Sequence, residues 1–306
     1  MTAEPLWLPT SPCGSRCLPA AGTVTRVGPV RATARLVAAA GVVAMAAAAL
    51  PLVALLRPAA RVGLLRLLAR ALLRAFGVRH EVAGRLPGTR ALLVANHVSW
   101  LDVPVLLAYA PVRLLAKREV RGWPVIGALA AAAGTTFIDR RRPRELPAAV
   151  AEVAAALRAG AVVAVFPEGT TRCGRATGRF RPAMFQAAVD AGVPVAPVTL
   201  RYASAGGRPT SVAAFVGEDT LLASLYRVVT ARDLRVTVSP HPSLHPVPGG
   251  SRRVLARAAR SAVRVATEPT RVVVESAVLP VARPVVQPAV LPATRPAAGE
   301  RLSQAA

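Results

Sequence analysis

Residues 91–102 read Ala91-Leu92-Leu93-Val94-Ala95-Asn96-His97-Val98-Ser99-Trp100-Leu101-Asp102. The first five are apolar without alternation. A short run of that kind suits a strand buried on both faces. Such a strand needs helices over each face, which makes the fold α/β. The run ends at Asn96 and His97, and Asp102 follows five residues after His97. An imidazole and a carboxylate therefore stand where a buried strand ends and a helix begins. That pairing can make a hydroxyl nucleophilic near neutral pH. Five residues along a helix turn about 500°, which leaves two side chains some 140° apart. The pair can meet only if His97 lies before or at the first helical turn. Asn96 and Ser99 are compatible with such a helix start.

Working outward, apolar runs at Val112–Ala116, Thr135–Ile138, Ala161–Phe166 and Val195–Leu200 read as further strands. Ser211–Val216 and Leu234–Val238 are two more candidates. Pro147–Leu157 and Arg181–Ala191 read as helices that end near Gly160 and Gly192. Near-continuous apolar strands with helices between them imply a mostly parallel or mixed sheet, flanked by helices. The prolines at 194 and 197 suggest that Val193–Val198 begins a strand or lies at an edge. This α/β region is expected over 78–266.

The segments on either side differ in composition. Residues 1–30, rich in Pro, Gly, Ser, Thr and Ala, are expected to be disordered. They lack the basic start of a signal peptide, and the apolar run comes late. Leu36–Leu56 carries no charge, and as a helix it measures roughly 31 Å, about one bilayer core. Arg61, Arg66, Arg70 and Arg74 follow among leucines, a pattern of basic residues beside an apolar face. Residues 31–77 are therefore expected to be membrane-associated helices. The basic surplus after the apolar run predicts a following domain that faces the cytoplasm at the cell membrane. Residues 267–306, rich in Pro, Val and Ala, are expected to be a flexible tail.

Lys and Arg number 39 against 15 Asp and Glu, a formal charge of +24. That balance favours anionic partners such as anionic lipid or phosphate-bearing substrates. Aromatics are 4% of the chain, with none of the aromatic–basic interleaving that stacks bases, so nucleic acid is not expected as a partner. Cys13, Cys17 and Cys173 form no disulfide framework and offer no four-ligand metal spacing, so neither a metal nor a cofactor is expected. His241 and His245 fall in a proline-rich stretch that excludes a helical metal pair and reads as a solvated loop.

Three more clusters sit at the ends of apolar runs. Phe166-Pro167-Glu168-Gly169-Thr170-Thr171-Arg172 makes a tight turn that presents a carboxylate and backbone N–H groups. Phe137-Ile138-Asp139-Arg140-Arg141-Arg142 places three arginines together, a natural phosphate clamp. Val193-Pro194-Val195-Ala196-Pro197-Val198 is the last. With these four clusters in this order, the chain resembles the glycerolipid acyltransferase family over roughly residues 78–240. Asn96–Asp102 match its first motif, Phe137–Arg140 its second, Phe166–Thr170 its third and Val193–Val198 its fourth. Ala116–Glu119 and Pro124–Gly127 resemble the segment before its second motif.

The resemblance implies transfer of a fatty acyl group from acyl-CoA or acyl-carrier protein to a lyso-lipid hydroxyl. The expected acceptor is a lysophospholipid, 1-acylglycerol-3-phosphate, and the product phosphatidate. His97 would take the acceptor's proton, and Asp102 would hold the imidazole tautomer and stabilise the imidazolium. A thioester is already activated, so no covalent enzyme intermediate is required. By the same resemblance Arg140, Glu168, Gly169, Thr170 and Arg172 would bind the glycerol-phosphate part. One departure bears on the acceptor. The common family form has an arginine directly after Phe-Pro-Glu-Gly-Thr, whereas here Thr171 holds that place and Arg172 follows. A lyso-ornithine lipid or a glycolipid hydroxyl is thus the alternative acceptor. A non-catalytic lipid-binding protein is the alternative from another class.

Overall fold

In the computed structural model, residues 9–267 are described, apart from 21, 54 and 248. The expected tail at 267–306 lies outside them, except for residue 267 itself. In chain order the elements are α1 (Pro29–Val53), α2 (Pro58–Ala75), β1 (Arg79–Val82), β2 (Ala91–Ala95), α3 (Asp102–Tyr109), β3 (Val112–Lys117), α4 (Arg118–Arg121) and α5 (Ile126–Ala132). They continue with β4 (Thr136–Ile138), α6 (Leu146–Arg158), β5 (Val162–Val165), α7 (Phe185–Ala191), β6 (Val195–Ala203), α8 (Leu221–Thr230), β7 (Arg235–Pro240) and α9 (Arg252–Thr267).

The strands make one mixed sheet in the order β1-β7-β6-β2-β5-β3-β4. Neighbours are parallel except at the β6–β7 pair, so β7 and β1 run against the other five. β2 lies between β5 and β6, and all five of its residues are buried. Its alternate side chains feed two separate cores. Leu93 and Ala95 pack with Leu73, Val105 and Val228 on one face, and Leu92 and Val94 with Val153, Leu157, Phe185 and Val263 on the other. This is the α/β architecture that the apolar runs predict.

Several local expectations need correction. The described residues of 9–28 are ordered in the structure. They include a 3-10 turn at Ser15–Cys17, and Cys13, Cys17, Leu18 and Val24 pack against the core. Main-chain bonds fix the segment too: Val27 N donates to Thr230 O at 2.8 Å, and Arg232 N to Thr25 O at 2.9 Å.

Ser211–Val216 is not a strand. Val212, Ala213, Ala214 and Val216 are buried in a turn, with Ala214 N bonded to Ser211 O, and Arg227 supplies donors to Val212 O and Ala214 O. Val193–Val198 does begin a strand, β6, but that strand lies inside the sheet rather than at an edge. Val195 N donates to Leu244 O on the β7 side, so the nitrogen of Pro197 faces the same way. The β6–β7 ladder begins only at Val198, so the missing N–H of Pro197 leaves no ladder bond unmade. The helix expected at Arg181–Ala191 begins at Phe185. His241 is not simply solvated, because its Nε2 lies 2.7 Å from Thr199 Oγ1.

α1 is longer than the uncharged run and starts seven residues earlier, at Pro29. Arg35 lies within it and donates to Val229 O and Ala231 O, each at 2.8 Å. Gly77 has φ +72, and a Cβ there would fall 2.3 Å from the Arg35 guanidinium, so glycine makes room for this anchor. Among the described residues α1 is the helix long and apolar enough to cross a membrane. It leaves Val37 66% and Met45 55% exposed. The arginines of α2 are partly engaged within the protein. Arg61 Nε donates to Leu56 O, and Arg70 Nε donates to Ala108 O at the end of α3. Arg70 thereby meets the carbonyl end of a helix, where a cation is favoured.

Candidate active site

The chain leaves β2 through Asn96. The buried Asn96 amide continues the ladder that the main chain abandons: its Oδ1 accepts from Leu200 N at 2.8 Å, and its Nδ2 donates to Leu200 O at 3.0 Å. The backbone is then free to turn away, and residues 97–101 fold back over the start of α3. Asp102 is the first residue of α3 and is wholly buried. His97 therefore precedes the first helical turn, as the helical geometry requires.

His97 Nδ1 lies 2.8 Å from Asp102 Oδ2. The same oxygen accepts from Val98 N at 2.7 Å and Ser99 N at 2.9 Å, while Oδ1 accepts from Tyr202 OH at 2.7 Å. Burial and the Asp102 charge hold the Tyr202 hydroxyl well above its ordinary pKa, so it stays a donor. A carboxylate can only accept here, which makes His97 Nδ1 the donor and leaves the lone pair on Nε2. The ring stacks on Phe166, with centroids 4.0 Å apart and planes at 12°. Its side chain remains 20% exposed. The result is an oriented base that solvent can reach.

Glu168 joins this loop to the turn after β5. Its Oε2 accepts from His97 N at 3.0 Å and its Oε1 from Gly178 N, with Arg172 Nε 3.8 Å from Oε1. Burial pushes the Glu168 carboxyl above its usual value, against the downward pull of those two N–H groups and of Arg172. Arg172 N donates to His97 O at 2.8 Å, so both backbone groups of His97 are held by the Glu168–Arg172 segment. A Cβ at Gly178 would fall 2.1 Å from Arg172 Nε, so glycine is needed there to admit the side chain. Gly169 closes the turn with φ +73 and N–H to Phe166 O. Thr170 is partly exposed beside it.

Arg140 is brought to the same turn, where it donates to Gly169 O. Burial, then the neighbouring Arg181, lowers its pKa. A cavity of about 480 Å³ opens beside Glu168 and Arg172, and Arg179, Arg181 and Arg252 line it as well. The structure thus brings the site residues expected from sequence around one turn; of them Glu168 and Arg172 line the cavity, while Arg140 holds the turn through Gly169 O. It adds Tyr202 and Arg252. Neither carries a sequence signal: Tyr202 lies near the end of β6, and Arg252 reaches the cavity from the start of α9.

An acyltransferase family model matches residues 77–201. A lyso-ornithine lipid O-acyltransferase of Pseudomonas aeruginosa is 41% identical over 188 residues, which cover 61% of this chain and 71% of that protein. A 1-acyl-sn-glycerol-3-phosphate acyltransferase of Neisseria meningitidis is 36% identical over 173 residues, 56% of this chain and 68% of that protein. The crystal structure of the 1-acyl-sn-glycerophosphate acyltransferase PlsC from Thermotoga maritima superposes with a TM-score of 0.53 at 22% identity, covering 69% of this chain and 79% of that one. This last likeness is one of fold.

Proposed function

Because this chain belongs to the acyltransferase family as a lyso-lipid acyltransferase, we propose that its acceptor is 1-acylglycerol-3-phosphate and its product phosphatidate. The donor in this reading is a thioester of coenzyme A or acyl-carrier protein. The observation that carries the choice of acceptor is the cavity beside Glu168, lined by Arg172, Arg179, Arg181 and Arg252. Guanidinium groups suit a phosphate monoester, which offers several charged acceptors to their planar forks. In this mechanism His97 Nε2 takes the acceptor's proton as its oxygen attacks the thioester carbonyl. Asp102 steadies the imidazolium. The proton passes to the departing thiolate, so no covalent enzyme intermediate is needed.

A second reading takes lyso-ornithine lipid as the acceptor, favoured by the 41% identity to the Pseudomonas aeruginosa enzyme of that name. An ornithine headgroup brings a carboxylate and an ammonium instead of a phosphate, so four arginines suit it less well. The test offers the purified chain equal amounts of both lyso-lipids in the same vesicles, with labelled acyl-CoA. Phosphatidate is expected as the main labelled product. Labelled ornithine lipid in excess would transfer the assignment to the second reading.

Arg140→Ala tests the support of the turn. Arg140 meets the Glu168 turn at Gly169 O, so its loss should raise the KM for lysophosphatidate by about tenfold, the cost of roughly one charge-assisted hydrogen bond. The KM for acyl-CoA should change little. Equal changes in both would separate Arg140 from the headgroup side.

In this reading α1 is embedded in the cell membrane and the catalytic domain faces the cytoplasm. The exposed apolar side chains of α1 support the embedding. Val37→Asp with Met45→Asp should shift the chain from the vesicle-bound to the soluble fraction, since an acidic residue costs about 2.5–3.5 kcal/mol at the centre of a membrane helix. The arginines of α2 should leave a remainder on anionic vesicles that high salt releases. Unchanged sedimentation with vesicles in high salt would show that α1 is not the anchor.

A further inference from the structure

The described residues bring together three thiols that lie far apart in sequence. Cys13 and Cys17 belong to the segment before α1, and Cys173 directly follows Arg172. Their three Sγ atoms all lie within 4.8 Å of one another. Contacts independent of the thiols also hold the segment there. Ser211 Oγ donates to Cys17 O at 2.6 Å. Gly217 has φ +65, and a Cβ on it would fall 3.2 Å from Gly14 Cα, so glycine lets the two backbones approach. Cys173 N donates to Cys13 Sγ at 3.4 Å. Cys173 is buried, and the other two are partly so. Nothing in the acyl-transfer chemistry uses these thiols.

We propose that Cys13, Cys17 and Cys173 form a binding site for one divalent thiophilic metal ion of the Zn²⁺ class, with solvent as an exchangeable fourth ligand. Tetrahedral coordination at a Zn–S distance of about 2.3 Å sets sulfurs roughly 3.8 Å apart, a spacing within reach of this cluster. Thiolate ligands select soft and borderline ions over Mg²⁺ or Ca²⁺. Among the described residues no His, Asp or Glu completes the set, which leaves the fourth position to water. Each Zn–S bond forms as a thiol gives its proton to solvent. Burial pushes the Cys173 thiol up to about 11. The charge of the metal reverses that preference on coordination.

The site has a consequence for the basic cavity. Pro9 and Thr10 line that cavity, four and three residues before Cys13. Pro9 lies 3.0 Å from the position of a Cβ on Gly169. An ion shared by Cys13, Cys17 and Cys173 fastens this wall to the loop that carries Glu168 and Arg172.

The test uses the full chain, purified in detergent under anaerobic, reducing conditions and equilibrated with Zn²⁺. Metal content and free thiols are then measured on the same sample. The expected result is about one Zn²⁺ per chain, with the thiols protected until a chelator is added. Co²⁺ in its place should give thiolate-to-cobalt charge-transfer absorption. Cys13→Ser combined with Cys17→Ser should lower the affinity for Zn²⁺ by at least about 100-fold. Those two positions are partly exposed, so the result stands even if Cys173→Ser fails to fold. Equal Zn²⁺ content in the wild type and the double variant would overturn the site. So would a disulfide among the three cysteines in the anaerobic protein. Metal content does not depend on acyl transfer, so this result and the identity of the acceptor can fail separately.

Discussion

His97→Ala should all but abolish acyl transfer, a loss of up to about 10⁴-fold in kcat, while the protein still folds and binds vesicles. The backbone contacts that place residue 97 do not involve the ring. Its N–H to Glu168 and its carbonyl to Arg172 survive the substitution. The ring gives up its stack on Phe166, worth about 0.5–1.5 kcal/mol, and one of the four hydrogen bonds that Asp102 accepts. That is a modest change in stability beside the loss of the imidazole that Asp102 orients. Circular dichroism and vesicle sedimentation should therefore match the wild type while thiol release falls to background. Near-normal turnover would remove His97 from the role of base.

Asp102→Asn should lower kcat by about 10³-fold, and Asp102→Ala by more. The network distinguishes the two. Two backbone N–H groups, from Val98 and Ser99, point at Oδ2, so the oxygen of an asparagine amide is held in that place. The His97 tautomer then survives, and the loss comes from the missing negative charge beside the developing imidazolium. Alanine removes the charge and the acceptor together, leaving Val98 N, Ser99 N and Tyr202 OH without a partner in a buried site. Each such group costs about 1–3 kcal/mol, so the alanine variant should also unfold at a lower temperature. Comparison of kcat and Tm across the two variants separates charge from scaffold.

Much of this architecture is legible in the chain because burial on both faces of a sheet demands unbroken apolar runs. Ala91–Ala95, Val112–Lys117 and Val162–Val165 are visible for that reason. Arg79–Val82 is not, since it is a charged, half-exposed edge strand with no apolar pattern. Ser211–Val216 misleads because a buried turn and a buried strand have the same composition when side-chain donors from Arg227 satisfy its carbonyls. Residues 9–28 look like a loop by composition, and their order comes from contacts with α8 and the Cys173 loop, which lie about 150–220 residues away. The His97–Asp102 pair is legible because five residues of local sequence suffice to bring it together. Tyr202, Arg252 and the meeting of Cys13 with Cys173 depend on tertiary packing, which no local pattern records. The chemistry of the turn is what the resemblance in four motifs implies. The structure adds that the Arg140 guanidinium donates to Gly169 O.

The most direct measurement follows free thiol and lipid product together, with purified protein, acyl-CoA and vesicles with or without lysophosphatidate. Base-assisted transfer to a lyso-lipid predicts thiol release only when the acceptor is present, with one phosphatidate formed for each thiol released. Steady thiol release in vesicles lacking any lyso-lipid, with free fatty acid as the product, would contradict it: water, not a lipid hydroxyl, would then be the acceptor at His97.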